Sequence, residues 1–150
     1  MRIGVISDTH GVLLPAVYQA LAGVSLILHA GDVGGEGIIV ELETIARVVA
    51  VRGNVDADLG PPRYPDTRRL TLEGVDIFLC HQPARAALLA DKPDIIIHGH
   101  THVPKNVVSD GVLWFNPGTA SKPQFGNNTL TVGILTLEKG LYQGEIIPLR

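Results

Sequence analysis

A chain of 150 residues, 45% hydrophobic and 18% charged, has the content of one globular domain that buries roughly 70% of its unfolded surface. That hydrophobicity excludes disorder, and 17 glycines and 10 prolines without a period exclude collagen and repeat architectures. A net charge of −3 with dispersed Lys and Arg argues against a nucleic-acid-wrapping surface, and one cysteine excludes a disulfide framework. The apolar run before Asp8 is too short for a signal peptide, and no window reaches membrane-span length. The expectation is a soluble, cytoplasmic domain.

Arg2–Ser7 is a β-branched run ending at a polar cluster and reads as a buried first strand. Leu14–Ala22, with Pro15 near its start and Gly23 after its end, carries helix punctuation. Ser25–His29 is a second strand, closed by Ala30-Gly31-Asp32. Glu36–Ala46 sets Ile38, Ile39, Leu42 and Ile45 at helical spacing, and Val48–Arg52 is a third strand. This alternation predicts a parallel sheet covered by helices. Asn54–Thr67 is a Pro-bearing loop of the length that usually serves a function.

Arg69–Leu72 and Val75–Cys80 flank the turn Glu73-Gly74 as strands. A short helix around Ala84–Ala90 and a strand Asp94–His98 follow. In the last third, Val103–Ser109, Val112–Phe115, Leu130–Leu137 and Leu141–Leu149 are strands. Asp110-Gly111 and Lys139-Gly140 part them as antiparallel hairpins. The expected architecture is one α/β domain over residues 1–150, with helices outside and a second, more antiparallel sheet built from the tail.

The apolar strands end at groups able to bind a ligand: Asp8 with His10, then Asp32, Asn54, His81, and His100 with His102. Ligands in open α/β sheets bind at the carboxyl ends of strands, so these segments should meet at one crevice. They exceed what one tetrahedral ion needs and suffice for two adjacent divalent cations sharing a carboxylate. In Asp8-Thr9-His10 and His100-Thr101-His102, alternate residues of an extended segment would face the same way, with the threonine turned aside. Gly31, Gly53 and Gly99 each precede a candidate ligand and allow close backbone approach.

Asp8-x-His10, Gly31-Asp32, Gly53-Asn54-x-Asp56, His81 and Gly99-His100-Thr101-His102, in that order, resemble the calcineurin-like metallophosphoesterase superfamily. The small size, the GNxD form and Asn116-Pro117-Gly118-Thr119 narrow this to the compact YfcE-like and MJ0936-like phosphodiesterases, to which the retromer subunit Vps29 is related. The resemblance implies a four-layer αββα sandwich of two mixed β-sheets flanked by helices. It also implies two divalent metal ions, manganese first, with nickel, iron or zinc as alternatives. By that resemblance Asp8, His10, Asp32 and His102 match the ligands of one metal, with Asp32 bridging. Asn54, His81 and His100 match those of the other. The implied activity is hydrolysis of a small phosphoester, with nucleotides among the candidates, by a metal-bridging hydroxide attacking in line. The same resemblance allows a protein-interaction scaffold with little catalysis, and leaves room for a homo-oligomer. The complete set of ligand positions favours the enzyme.

Other polar and aromatic residues have plainer readings. His29 and His98 are expected as buried histidines that at most orient a ligand, and Cys80 as a small buried hydrophobe. Asp56 is either an Asx turn or a support near the site. Trp114 and Phe115 belong to the core, Arg63 and Tyr64 to a solvated loop, and Arg68-Arg69 to a solvated strand edge. Val55 stands where larger superfamily members carry a histidine proton donor, which favours esters with good leaving groups. Gln82-Pro83 replaces a Gly-His, and Pro123-Gln124 stands where many relatives place Pro-Arg, so a phosphate-steering arginine is absent there. So short a chain leaves little for a cap, so the site should be shallow and open.

Overall fold

The computed structural model describes residues 1–121 and 129–150; Pro123-Gln124 therefore lies outside the described residues. The strands are β1 (Arg2–Ile6), β2 (Leu26–His29), β3 (Val48–Ala50), β4 (Thr67–Leu72), β5 (Val75–Cys80), β6 (Ile95–Ile97), β7 (Lys105–Ser109), β8 (Val112–Asn116), β9 (Thr131–Glu138) and β10 (Leu141–Pro148). They form two five-stranded sheets, ordered β10-β9-β1-β2-β3 and β4-β5-β6-β8-β7. In the first, parallel β1-β2-β3 reach one edge and antiparallel β9 and β10 continue beside β1; in the second, parallel β5-β6-β8 are bordered by antiparallel β4 and β7.

Three apolar clusters separate four layers. Ile3, Val5 and Leu28 of the first sheet meet Ile77, Leu79, Ile97 and Phe115 of the second in a dry inter-sheet core. On the outer face of the first sheet, Ile6 and Ile27 pack against Val17 of α1 (Pro15–Ala20) and Ile39 and Leu42 of α2 (Glu36–Leu42). Strands covered on both faces must be apolar throughout, which is why β1 and β2 read as continuous runs. The outer face of the second sheet carries a thinner layer. Phe78, Cys80 and Ile96 pack there against Ala86 of a 3₁₀-helix, Pro83–Leu88. This is the expected αββα sandwich, with one α-helical layer replaced by 3₁₀.

Three expectations need correction. The tail is divided between the sheets: β7 and β8 join the second, but β9 pairs antiparallel with β1, so the hairpin of β9 and β10 completes the first. Antiparallel turn signals identify a hairpin but not the sheet edge it joins. The second helix stops at Leu42, four residues short of Ala46, and continues as turn. The long loop also differs from a solvated one. Tyr64 is buried and donates to Glu36 Oε1 at 2.8 Å, while Arg63 pairs with Glu36 and Glu43, so the loop is fastened to α2. Arg69 forks onto Asp76 across the β4–β5 edge at 3.0 and 2.8 Å.

Phe115 locks the two sheets together. Its ring lies over Gly133 of β9 and Gly144 of β10, where an added Cβ would come within 2.4 Å and 2.7 Å of ring carbons. The second sheet thus inserts a large side chain where the first has none. Phe115→Ala should cost about 3–5 kcal/mol. Gly133→Ala should cost about 1–3 kcal/mol by overpacking the same contact. Denaturant unfolding checks both, and a Gly133→Ala protein as stable as the parent would refute the interlock.

Candidate metal centre

The loops that follow the parallel strands of both sheets meet at one end of the sandwich. Asp8 and His10 follow β1, Asp32 follows β2, Asn54 follows β3, His81 follows β5, and His100 and His102 follow β6. Donor atoms of Asp8, His10 and His102 lie within 4.8 Å of one another, as do those of Asp8, Asp32 and His81. Asp8 is common to both groups. Asp32 Oδ2 sits between the two, 3.3 Å from His10 Nε2 and 3.3 Å from His81 Nε2. The His100 ring stands 5.2 Å from that of His81, and Asn54 shares a cavity wall with His81.

The paired motifs do not project from extended backbone, as alternation would have it. Asp8, His10, Asp32, His100 and His102 all have positive φ, between 47° and 71°. Left-handed backbone at non-glycine residues is costly, about 1–3 kcal/mol each, and persists only where surrounding contacts impose it. Here those contacts are hydrogen bonds between loops. The Asp8 amide donates to the Gly31 carbonyl and the His10 amide to the Asp32 carbonyl, each at 3.0 Å. Thr9 turns away as expected, donating from its hydroxyl to the Val33 carbonyl at 2.7 Å.

The three motif glycines are required by space. A Cβ at Gly53 would lie 2.3 Å from the Asp32 amide nitrogen and carboxylate, and one at Gly99 would lie 2.0 Å from Ser7 Oγ. At Gly31 it would meet the His81 ring at 2.8 Å. Asp56 proves to be a brace. Its buried carboxylate accepts from the amides of Val33, Gly34 and Gly53 at 3.0, 3.0 and 2.7 Å. It thereby joins the Asp32 loop to the Asn54 loop.

Ser7 and the Asn116 segment were not singled out as site residues, yet both shape it. The Ser7 hydroxyl donates to Asp8 Oδ2 at 2.7 Å. Asn116 donates from Nδ2 to the Gly99 carbonyl at 3.2 Å and to Thr101 Oγ1 at 3.0 Å, and Ser121 donates to the Asp8 carbonyl at 2.8 Å. A serine directly before the first Asp was the available signal; nothing in its spacing marks it as a partner.

The histidines are held with one nitrogen free for a ligand. His10 Nδ1 lies 2.9 Å from the Asp8 carbonyl and His81 Nδ1 2.8 Å from the Ala30 carbonyl. A carbonyl only accepts, so both protons sit on Nδ1 and Nε2 faces the carboxylates. Asp8 Oδ1 and His81 Nε2 are buried without an aligned hydrogen bond among the described residues. Buried polar atoms seldom stay so, and two such atoms facing inward from carboxylate and imidazole fit divalent cations.

Electrostatics describe the same tension. Burial pushes the Asp8 carboxyl above its ordinary range, outweighing the Ser7 hydroxyl and the nearby imidazoles. Asp32 also loses solvation, but His81, the Val55 amide and His10 hold its carboxyl well below that range. Burial opposes charge on His81, yet Asp32 and Asp8 raise its imidazole above the usual value. His29, wholly buried, is pushed down to about 4. It accepts the Gly31 amide at Nδ1 and meets Thr9 Oγ1 at Nε2, a neutral support. His98 likewise is buried and braces the Gly99 carbonyl. Burial drives the Cys80 thiol up to about 12, which removes it as a nucleophile.

Residues 1–140 match the calcineurin-like phosphoesterase superfamily domain. A probable metallophosphoesterase of Methanothermobacter thermautotrophicus is 36% identical over 98% of this chain and 92% of its own. Phosphodiesterase YfcE of Escherichia coli K12 is 30% identical over 85% of this chain and 83% of its own. The E. coli YfcE structure superposes with a TM-score of 0.73 at 25% identity, covering both chains fully. Vps29 of Entamoeba histolytica, solved in complex with Zn²⁺, shares the fold with a TM-score of 0.75 at 22% identity over both full chains. Fold, motif order and sequence similarity agree: the chain belongs to the calcineurin-like phosphoesterase superfamily.

Proposed function

We propose that the protein is a phosphodiesterase that holds two divalent cations, manganese first among them, and hydrolyses small phosphoesters. The observation that carries this is the buried donor cluster, with Asp8 shared between two groups and inward-facing atoms left without hydrogen bonds. Asp8, His10, Asp32 and His102 would hold one cation, and Asn54, His81 and His100 the other. Bound there, the cations would lower the pKa of a water for in-line attack and offset charge on the phosphoryl oxygens. The chain's own work is to aim Nε2 of His10 and of His81 inward by anchoring Nδ1–H on a backbone carbonyl, and to keep Asp32 ionised. Where larger relatives carry a proton donor there is Val55, an exposed carbon side chain, so the leaving group must depart without a proton from that position. Activated diesters therefore suit this site best.

The names of the relatives support the reading: YfcE is called a phosphodiesterase, and Vps29 was solved with Zn²⁺. The likeness to Vps29 also favours, as the second reading, a scaffold in which the same site does little chemistry.

Asp8→Asn separates site from fold. Burial raises the Asp8 pKa, so at neutral pH its ionised carboxylate destabilises the metal-free protein and the amide should raise its Tm. The same change should weaken Mn²⁺ binding more than about 100-fold and remove cleavage of bis(p-nitrophenyl) phosphate. Unchanged, metal-dependent turnover in the variant would sink the assignment. Full metal binding without turnover in the parent would favour the scaffold.

Metal affinity should also fall with acidity. His81 must give up a proton to bind, and its pKa lies above the ordinary 6.5. The affinity therefore begins to drop while the pH is still above that value, and binding releases protons. Calorimetry across about pH 8 to 6 measures this, and a flat profile would contradict the role given to His81.

A further inference from the structure

A cavity of about 370 Å³ opens beside Asn54 and His81, and Arg52 and Arg85 also line it. Arg52 directly precedes Gly53-Asn54, at the end of the β3 segment. Arg85 belongs to the 3₁₀-helix that starts at Pro83, two residues after His81. Each of the two loops thus brings a guanidinium along with its candidate ligand. One of them arises where Gln82-Pro83 departs from the family pattern.

The two arginines and two carboxylates that line this cavity balance in formal charge but not in hydrogen bonding. Arg52 is fixed, donating from Nε to Asp66 Oδ1 at 2.8 Å and from Nη1 to the Leu59 carbonyl at 3.2 Å. Arg85 is half exposed and approaches Asp66 Oδ2 only to 3.8 Å. It makes no side-chain hydrogen bond among the described residues. The other carboxylate on the wall, Asp56, is spent on three backbone amides. Two arginines therefore face one available carboxylate, and that carboxylate already has a better partner in Arg52. A guanidinium paired only at 3.8 Å, beside a proposed phosphoester site, is free to fork onto an oxyanion bidentately. The volume is that of a pocket for a small-molecule group.

We infer that this cavity is a subsite for a second phosphate, so that the chain prefers phosphodiesters carrying a phosphate besides the reacting one. The inference rests on the phosphodiesterase reading for where the reacting phosphate sits. The donor cluster takes that phosphate, and Arg85, which shares Asp66 with Arg52, takes the other. Arg85 is a specificity residue.

The test is calorimetry of the Mn²⁺-loaded protein with thymidine 5′-phosphate and thymidine 3′,5′-bisphosphate. The parent should bind the bisphosphate about tenfold more tightly, a difference of about 1.4 kcal/mol. Arg85→Ala should erase that preference and leave thymidine 5′-phosphate binding unchanged, while Arg85→Lys keeps part of it. Equal affinities in the parent, no binding of either ligand, or equal losses for both in Arg85→Ala would overturn the subsite. The p-nitrophenyl 5′-esters of the same two nucleotides, with bis(p-nitrophenyl) phosphate, separate the two ideas. An Arg85-dependent binding preference without turnover of any ester would retain the subsite and reject the hydrolase. Turnover without any preference for the 3′-phosphate would do the reverse.

Discussion

The structure is organised around a carboxylate that has no water. Asp8 is fully buried at the end of β1, where burial alone would keep it neutral, and Asp32 stands nearby with a second negative charge. An ionised group in such a place needs opposite charge and hydrogen bonds close at hand. The fold supplies both from every direction: the Ser7 hydroxyl and the His100 amide at Oδ2, and imidazoles from three loops. None of these groups can move far without exposing the others. The described loops at this end of the sandwich are accordingly tied to one another by hydrogen bonds, although by composition they are turns.

That constraint explains the backbone. Five of the residues bearing donors sit in the left-handed region, which Asp and His enter more readily than most side chains but still at a cost. The loops are cross-tied instead, β1 loop to β2 loop through backbone hydrogen bonds, and β2 loop to β3 loop through Asp56. Glycine is needed where the loops touch, since at Gly53 and Gly99 even a methyl group would strike Asp32 or Ser7. Strain at the site is thus balanced by hydrogen bonding around it.

Much of this was legible in the sequence, because strand ends and polar clusters are local signals. The apolar run alone bounds β5 at Val75–Cys80, and the candidate donors stand out because each follows such a run. What the sequence concealed depends on packing between distant segments. The partnership of β9 with β1 is a pairing across most of the chain. The backbone at Asp8 and His10 looks extended on alternation, and only the contact with the β2 loop turns it left-handed. Arg52 and Arg85 were overlooked because nothing near them in sequence sets them apart; they become a pair only when β3 and β5, from different sheets, end side by side.

That last juxtaposition bears on stability as well as chemistry. Asp8, His10, Asp32 and Asn54 belong to the first sheet, and His81, His100 and His102 to the second. Phe115, seated over Gly133 and Gly144, fixes how the sheets lie against each other within the core. It therefore also governs how the two halves of the donor cluster meet. Cations held between them would tie the sheets at the end where the apolar core gives way to polar loops. A ligand bound only by the folded state stabilises it by roughly 2.7 kcal/mol at a hundred times its Kd. Metal binding and sheet packing would then be one equilibrium seen from two sides. A loosened interlock would weaken metal affinity without touching a donor, and a lost donor would loosen the packing of two sheets that share no backbone pairing.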